Sequence, residues 1–233
     1  MKFEANTIAV DRGDRRIVQE VSFSLTNGEV LVVTGENGSG KSTLLRALAG
    51  LLPLAEGRLH FDFLAEGADD PMMIRENIHY LGHQNAMKPS LSVRENLNFW
   101  QDFTTKPQQA VSVEGMSTEE ALDFVDLPQT IDLPFGYLST GMKRRVSIAK
   151  LLIREKPIWI VDEPTAGLDA NSSEMFSGLA RDHCANGGIL IAATHLPLGI
   201  ENAKTLHIKR LEGQGVDDFF DAEADSSGKA GGE

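Results

Sequence analysis

Residues 29–43 read EVLVVTGENGSGKST, and the apolar side chains of the segment that follows, LLRALAGLL, recur at helical spacing. A short, continuously apolar run predicts a strand covered on both faces, as the strands of parallel sheets are. The run stops at Gly35, and Gly38 and Gly40 follow closely, so the backbone can turn sharply between strand and helix. Strand, glycine-rich turn and helix in that order leave few folds open. The amides of the turn and the first N–H groups of the helix converge on one point, which the helix dipole makes positive. The chain is therefore expected to be α/β, with an anion held at one edge of its sheet.

GENGSGKST also fits the pattern G-x-x-x-x-G-K-[ST], in the strand and helix context that the pattern requires. The anion is then a nucleoside triphosphate. Gly35, Glu36, Asn37, Gly38, Ser39, Gly40, Lys41, Ser42 and Thr43 are the candidate nucleotide-binding residues, with Lys41 at the β- and γ-phosphates and the Ser42 hydroxyl on Mg²⁺. A second magnesium-side group is expected at the end of another apolar strand, and IWIVDEP provides Asp162 there. Its carboxylate would hold Mg²⁺ through the water shell. Glu163 comes next and is well placed to polarise an attacking water as general base. ATP and Mg²⁺ are the ligands implied.

Other segments predict what surrounds this core. Residues 2–10 and 15–25 alternate apolar and polar about DRGD at 11–14, the pattern of an antiparallel hairpin. IWIVDE at 158–163 and GILIAAT at 188–194 read as buried strands, separated by a helix-length segment that stops at Asn186-Gly187-Gly188. From about residue 85 to 155 the character is helical. Ser92-Val93-Arg94-Glu95 and Ser117-Thr118-Glu119-Glu120 both fit the capping box, in which Ser and Glu satisfy each other's amide donors. A domain over residues 1–210 is expected, with an N-terminal antiparallel β subdomain, a parallel-sheet α/β core and a helical subdomain inserted at about 85–155. His79 and His83 fall where NIHYLGHQ passes from strand to loop, so no metal or haem site is expected of them.

Charge narrows the function classes. The net charge is −12, whereas proteins that bind nucleic acid electrostatically carry a clustered excess of Lys and Arg. Residues 211–233 hold seven acidic residues and one Lys and read as an acidic, disordered tail. No apolar run approaches the roughly 20 residues of a spanning helix, and the N-terminus lacks a secretory pattern. The single Cys184 fits a reducing compartment.

Six motifs occur in one order: GENGSGKST, Gln84 in LGHQ, LSTGM at 138–142, IWIVDEP, AGLD at 166–169 and His195 in AATHLP. Together they resemble the P-loop ATPases of the ATP-binding cassette (ABC) family, over about residues 2–210. The resemblance implies that the core is RecA-like, that Gln84 senses Mg²⁺ and the attacking water, that His195 contacts the γ-phosphate, and that Asp169 lies at a dimer interface. It also explains LSTGM, which stands where the family has LSGGQ. Ser139 and Gly141 would bind the ATP held by a second copy, and Ser139 can cap the helix that follows. Thr140 and Met142 depart from the family pattern, and a Met offers no amide hydrogen bonds. Arg12 lies near the place of the usual adenine-stacking aromatic.

The stretches LGHQNAMKPSLSVRENLNFW, KRRVSIAKL and IWIVDEPTAGLD resemble, more narrowly, the ATPase subunits of bacterial cytochrome c maturation haem exporters. This implies a homodimer of cassettes bound to integral membrane subunits on the cytoplasmic face of the inner membrane. Apolar residues near Ser90 to Trp100 would line the groove for a membrane-subunit helix, but for Phe99 and Trp100 themselves core packing is the favoured expectation. Nucleic acid is not an expected partner. A soluble ABC ATPase outside transport, an exporter of another substrate and a non-hydrolysing regulatory module are the alternatives.

Overall fold

The computed structural model describes residues 1–64, 71–103, 115–194, 199–200 and 202–211. In chain order its elements are β1 (Lys2–Arg12), β2 (Arg15–Thr26), β3 (Val30–Thr34), α1 (Lys41–Leu48), β4 (Glu56–Phe61), α2 (Pro71–Asn77) and β5 (Ile78–Leu81). Then come α3 (Val93–Phe103), α4 (Thr118–Phe124), α5 (Thr140–Leu152), β6 (Ile158–Asp162), α6 (Ala170–Ala185), β7 (Ile189–Ala193) and β8 (Lys204–His207). Two 3-10 turns, Pro128–Thr130 and Phe135–Tyr137, link α4 to α5.

These strands form two sheets. The N-terminal alternation gives the expected hairpin, with Arg12 opposite Arg15, and β4 adds a third antiparallel strand in the order β2-β1-β4. The other sheet has the order β5-β6-β7-β3-β8, and every pairing in it is parallel. The strand β4 was not anticipated, although Leu59 and Phe61 alternate with Arg58 and His60 and are both buried. The edge strand β8, KTLH, carries no apolar run; its pairing with β3 holds it, together with Lys204 Nζ, which donates to the Ser24 carbonyl at 3.0 Å and to Glu29 Oε2 at 2.8 Å.

The period of two along the parallel strands sorts the core into two layers. Ile158, Ile160, Ile189, Ile191, Leu31 and Val33 face α1 and the antiparallel sheet, where Leu44, Leu45, Leu48, Phe3 and Leu25 meet them. Trp159, Val161, Leu190, Ala192 and Val30 face the opposite way, onto Leu97, Leu122, Val146, Ile148 and Phe176. Burial on both faces is why β6 and β7 read as unbroken apolar runs. Both capping boxes form. Ser117 Oγ accepts from the Glu120 amide, and Glu120 reciprocates at Ser117. Ser92 and Glu95 do the same, at 2.7 and 3.1 Å.

The second layer contains a buried imidazole, His79, and a partly buried one, His183. His183 of α6 stacks on Trp159 at 4.1 Å between ring centroids, and His79 of β5 meets the same indole edge-on at 6.5 Å. His79 Nε2 donates to the Arg154 carbonyl at 2.6 Å and His183 Nε2 to that of Ile189 at 3.2 Å. Among the described residues no group of three or more His, Cys, Asp or Glu is placed to hold a metal. Burial lowers the pKa of His183 to about 4 and holds that of His79 well below its usual value. In the unfolded chain each takes a proton near pH 6.5, so stability present above that pH is lost as the pH falls toward 4. For His183 alone the loss between pH 7.5 and 5.5 is on the order of 1 kcal/mol. His183→Phe keeps the ring stack and removes the titration. Urea midpoints measured across that pH range should then fall less steeply than in the parent; an equal slope would rule out this source.

Candidate active site

Parallel register brings the predicted residues to one edge. Val33 of β3 lies opposite Ala193 of β7, which lies opposite Asp162 of β6; Val161 lies opposite Leu81 of β5. The chain leaves all four strands at the same end, so Gly35, Asp162, Glu163, Thr194 and the segment carrying Gln84 emerge side by side. In open parallel sheets this edge is where ligands bind.

Backbone geometry makes the loop after β3 a cradle. Gly35 has φ +147°, and a Cβ there would stand 2.3 Å from the Ile208 carbonyl oxygen and 2.7 Å from Ser39 Oγ. Gly40 has φ +100°, and its Cβ would meet the Ile17 methyl at 2.9 Å, because β2 packs against the loop. Ser39 N–H donates to the Glu36 carbonyl at 3.1 Å and closes the turn. The first intrahelical bond of α1 runs from Leu44 N–H to Gly40 O at 2.8 Å, so the amides of Lys41, Ser42 and Thr43 precede the helical ladder and face outward from its tip. Lys41 Nζ lies across the mouth, donating to the Gly35 carbonyl at 2.7 Å and the Glu36 carbonyl at 3.0 Å. Ser39 Oγ is buried with no hydrogen-bond partner among the described residues.

At the end of β6, Asp162 is 4% exposed and its Oδ2 lacks a partner among the described residues. A buried carboxylate oxygen left unmatched costs at least about 1–3 kcal/mol, and a hydrated divalent cation is the kind of group that would match it. Glu163 is partly exposed and has φ +45°, a left-handed conformation that side chains beyond glycine adopt at a cost. Its N–H donates to the Ala193 carbonyl at 2.8 Å and its own carbonyl accepts from Ala166 N–H at 3.1 Å. Arg144 of α5, buried beneath these residues, donates to the carbonyls of Asp162, Glu163 and Pro164 and to that of Gly82.

LSTGM begins α5 as expected. Ser139 is its N-cap, and its Oγ accepts from the Met142 amide at 3.3 Å. Ser139 is exposed and Gly141 partly so, leaving the helix tip accessible. The Met142 side chain packs against the core on the helical side of the sheet, which explains how an apolar residue stands where the family has Gln. Thr140 Cγ2 lies near Gly167 in AGLD. Asp169 caps α6; the Ser172 amide, at 2.7 Å, holds its carboxyl below the usual carboxylate range. Gln84 is exposed, three residues past β5. His195 lies outside the described residues, as does the acidic segment beyond Leu211.

Two features of α5 escaped sequence reasoning. Arg144 reads as part of a surface run, KRR, although its spacing to Ser147, Ile148 and Leu151 turns it inward. Lys150 is buried as well, with Nζ 4.5 Å from the Trp100 ring centroid and 3.4 Å from the Tyr80 carbonyl, and burial brings its pKa down to about 8. Trp100 Nε1 donates to the Ala86 carbonyl at 3.0 Å, tying α3 to the segment after Gln84. Phe99, its neighbour, is about half exposed and so is not core.

A family profile described as "ABC transporter" matches residues 18–166. The chain is 55% identical, over 204 residues, to the cytochrome c biogenesis ATP-binding export protein CcmA of Mesorhizobium japonicum, covering 88% of this chain and 96% of that one. It is 47% identical to the protein of the same name from Agrobacterium fabrum, covering 91% and 98%. Among solved structures, a putative ABC transporter ATP-binding protein from Pyrococcus furiosus superposes with a TM-score of 0.70 at 19% identity, covering 89% of this chain and 98% of that one. The ATP-binding cassette MJ0796, captured as a post-hydrolysis dimer with ADP and Pi, gives 0.68 at 24%, covering 83% and 88%. These two likenesses concern the fold.

The cradle's dependence on Gly35 is testable. Gly35→Ala should destabilise the chain by about 1–3 kcal/mol and abolish binding of a fluorescent ATP analogue, read by denaturant titration and by equilibrium fluorescence. Unchanged analogue affinity would show that the close approach of Ile208 does not shape the loop.

Proposed function

The chain belongs to the ABC transporter family as an ATP-hydrolysing cassette, and from that premise we propose that it powers an export complex for cytochrome c biogenesis. Near full-length identity to proteins named for that role carries this reading. The complex would handle haem or release a haem-loaded carrier, with the chain bound peripherally at the cytoplasmic face of a bacterial inner membrane. Among the described residues no helix is long and apolar enough to cross a membrane, so integral subunits would supply the pathway. Phe99, Leu133 and Tyr137 are exposed apolar residues on the helical side. The segment at 133–137 runs beside the start of α3, with Phe135 N–H on the Leu91 carbonyl and Gly136 N–H on that of Pro89. This surface suits a helix of a membrane partner.

In the catalytic cycle we propose, ATP lies with its β- and γ-phosphates against the amides of residues 38–43, and Lys41 Nζ moves from its loop carbonyls onto them. Neutralising the phosphates there lowers the cost of charge that builds on the transferring group. Ser42 and Asp162 would hold Mg²⁺, which would supply charge stabilisation at the phosphate oxygens; the unpaired, buried Oδ2 of Asp162 fits that donor set. Glu163 takes the proton of the attacking water as general base. Gln84 would orient that water, and His195 would contact the γ-phosphate. Ser139 and Gly141 of a second copy would close the site, their amides and the dipole of α5 meeting the same γ-phosphate.

Glu163→Gln should bind ATP with near-parent affinity, lower turnover of the complex at least about 100-fold, and accumulate as an ATP-bound dimer in size-exclusion chromatography. Turnover at the parent rate would remove Glu163 from the role of base. In a Cys184→Ala background, cysteines placed at Asn37 and Ser139 should crosslink between copies when ATP is trapped; failure to do so would refute the head-to-tail sandwich. Affinity purification from solubilised membranes should recover haem-handling membrane proteins. A lipid or drug permease in their place would overturn the biogenesis assignment.

A further inference from the structure

A guanidinium buried beneath a catalytic edge calls for an explanation, because burying a cation costs several kcal/mol unless its donors are all well matched. Arg144 is 4% exposed and forms no salt bridge among the described residues. Its matches are main-chain carbonyls instead. Nε donates to Pro164 at 2.9 Å, Nη1 to Gly82 at 2.7 Å, and Nη2 to Asp162 at 3.0 Å and Glu163 at 2.7 Å. Three consecutive carbonyls, 162 to 164, are thus gripped by one rigid planar group. The fourth lies on the neighbouring strand exit, two residues before Gln84. Carbonyls converge in this way only where the chain turns hard, and the turn is made at Glu163, whose φ of +45° is disfavoured for a residue with a Cβ.

We propose that Arg144 is a positioning residue for ATP hydrolysis: its fork holds Glu163 in the left-handed conformation and fixes the gap between Glu163 and the Gln84 segment. The proposal rests on the reading of Glu163 as the base. A compact lysine ammonium at this place keeps the charge but cannot reach four carbonyls in one plane. The turn can then relax, and Glu163 drifts from the water it serves. Nucleotide binding depends on the loop at 35–43, which Arg144 does not touch, so affinity and turnover should separate.

The test uses the full chain assembled with its membrane partners. Arg144→Lys should lower kcat roughly 10- to 100-fold while affinity for a fluorescent ATP analogue changes less than about twofold. Arg144→Gln, which still donates from one amide, gives the same reading should the Lys variant be insoluble. In a Glu163→Gln background, Arg144→Lys should lower the residual rate no further, because the group it positions is already gone. A parent-like kcat, a parallel loss of analogue affinity, or a further fall in the Glu163→Gln background would each overturn the proposal. So would failure of both variants to fold, since Arg144 would then be a determinant of folding. Parent-like turnover of Glu163→Gln alone would instead sink the reading of the base, leaving a distinct signature.

Discussion

Parallel pairing of β6, β7 and β3 is the constraint on which the site depends. Because Asp162, Ala193 and Val33 stand level across three strands, residues more than a hundred positions apart leave the sheet at one edge. The glycine-rich loop is then set beside the carboxylates by strand register. The sheet can impose this register because one-residue slippage would turn Ile158 and Ile160, or Trp159 and Val161, into the wrong layer. Two packed layers, each complementary to one phase of the strand, make such a slip costly.

Buried cations add a second kind of constraint. Lys156, in the segment before β6, joins the Arg75 carbonyl of α2 to that of Ile78 at 2.7 and 3.1 Å, and on α5 Arg144 and Lys150 direct their donors at main-chain carbonyls toward the ends of β5 and β6. Apolar residues would stabilise the same helix faces with less desolvation. What cations add is direction, since each fixes where a strand exit lies relative to the helix behind it. That is the property the proposed site needs, since its candidate metal ligand and base stand at the end of β6 and its candidate water-orienting residue follows β5. Lys150 extends the same linkage outward through Trp100 to Ala86, joining α3 and α5 to the Gln84 segment.

The altered signature also makes sense in these terms. The contacts expected of LSGGQ come mainly from its Ser and from the amides of a helix tip, and those remain in LSTGM: Ser139 caps α5 and the tip is exposed. Met142 turns its thioether to the core, where an unbranched apolar chain fills space well. Thr140, at the third position, is exposed, and its methyl lies near Gly167.

Sequence alone determined the α/β class, the glycine-rich turn between β3 and α1, the apolar strand that ends at Asp162 and Glu163, and the caps at Ser92, Ser117 and Ser139. Each of these is local: a period, a glycine turn or a cap is written in a handful of adjacent residues and needs no distant partner. The strand β4 was legible in the same way from its alternation, whereas β8 was not, because KTLH has a single apolar residue, Leu206, and is a strand by its pairing with β3. Tertiary structure decided the rest. The left-handed Glu163, the inward Arg144 and the core-facing Met142 depend on atoms from β5, β6 and α5 meeting in space. A basic run on paper looks like a solvated face; only the packing of α5 onto the sheet shows that one of its arginines points at the turn carrying the candidate base.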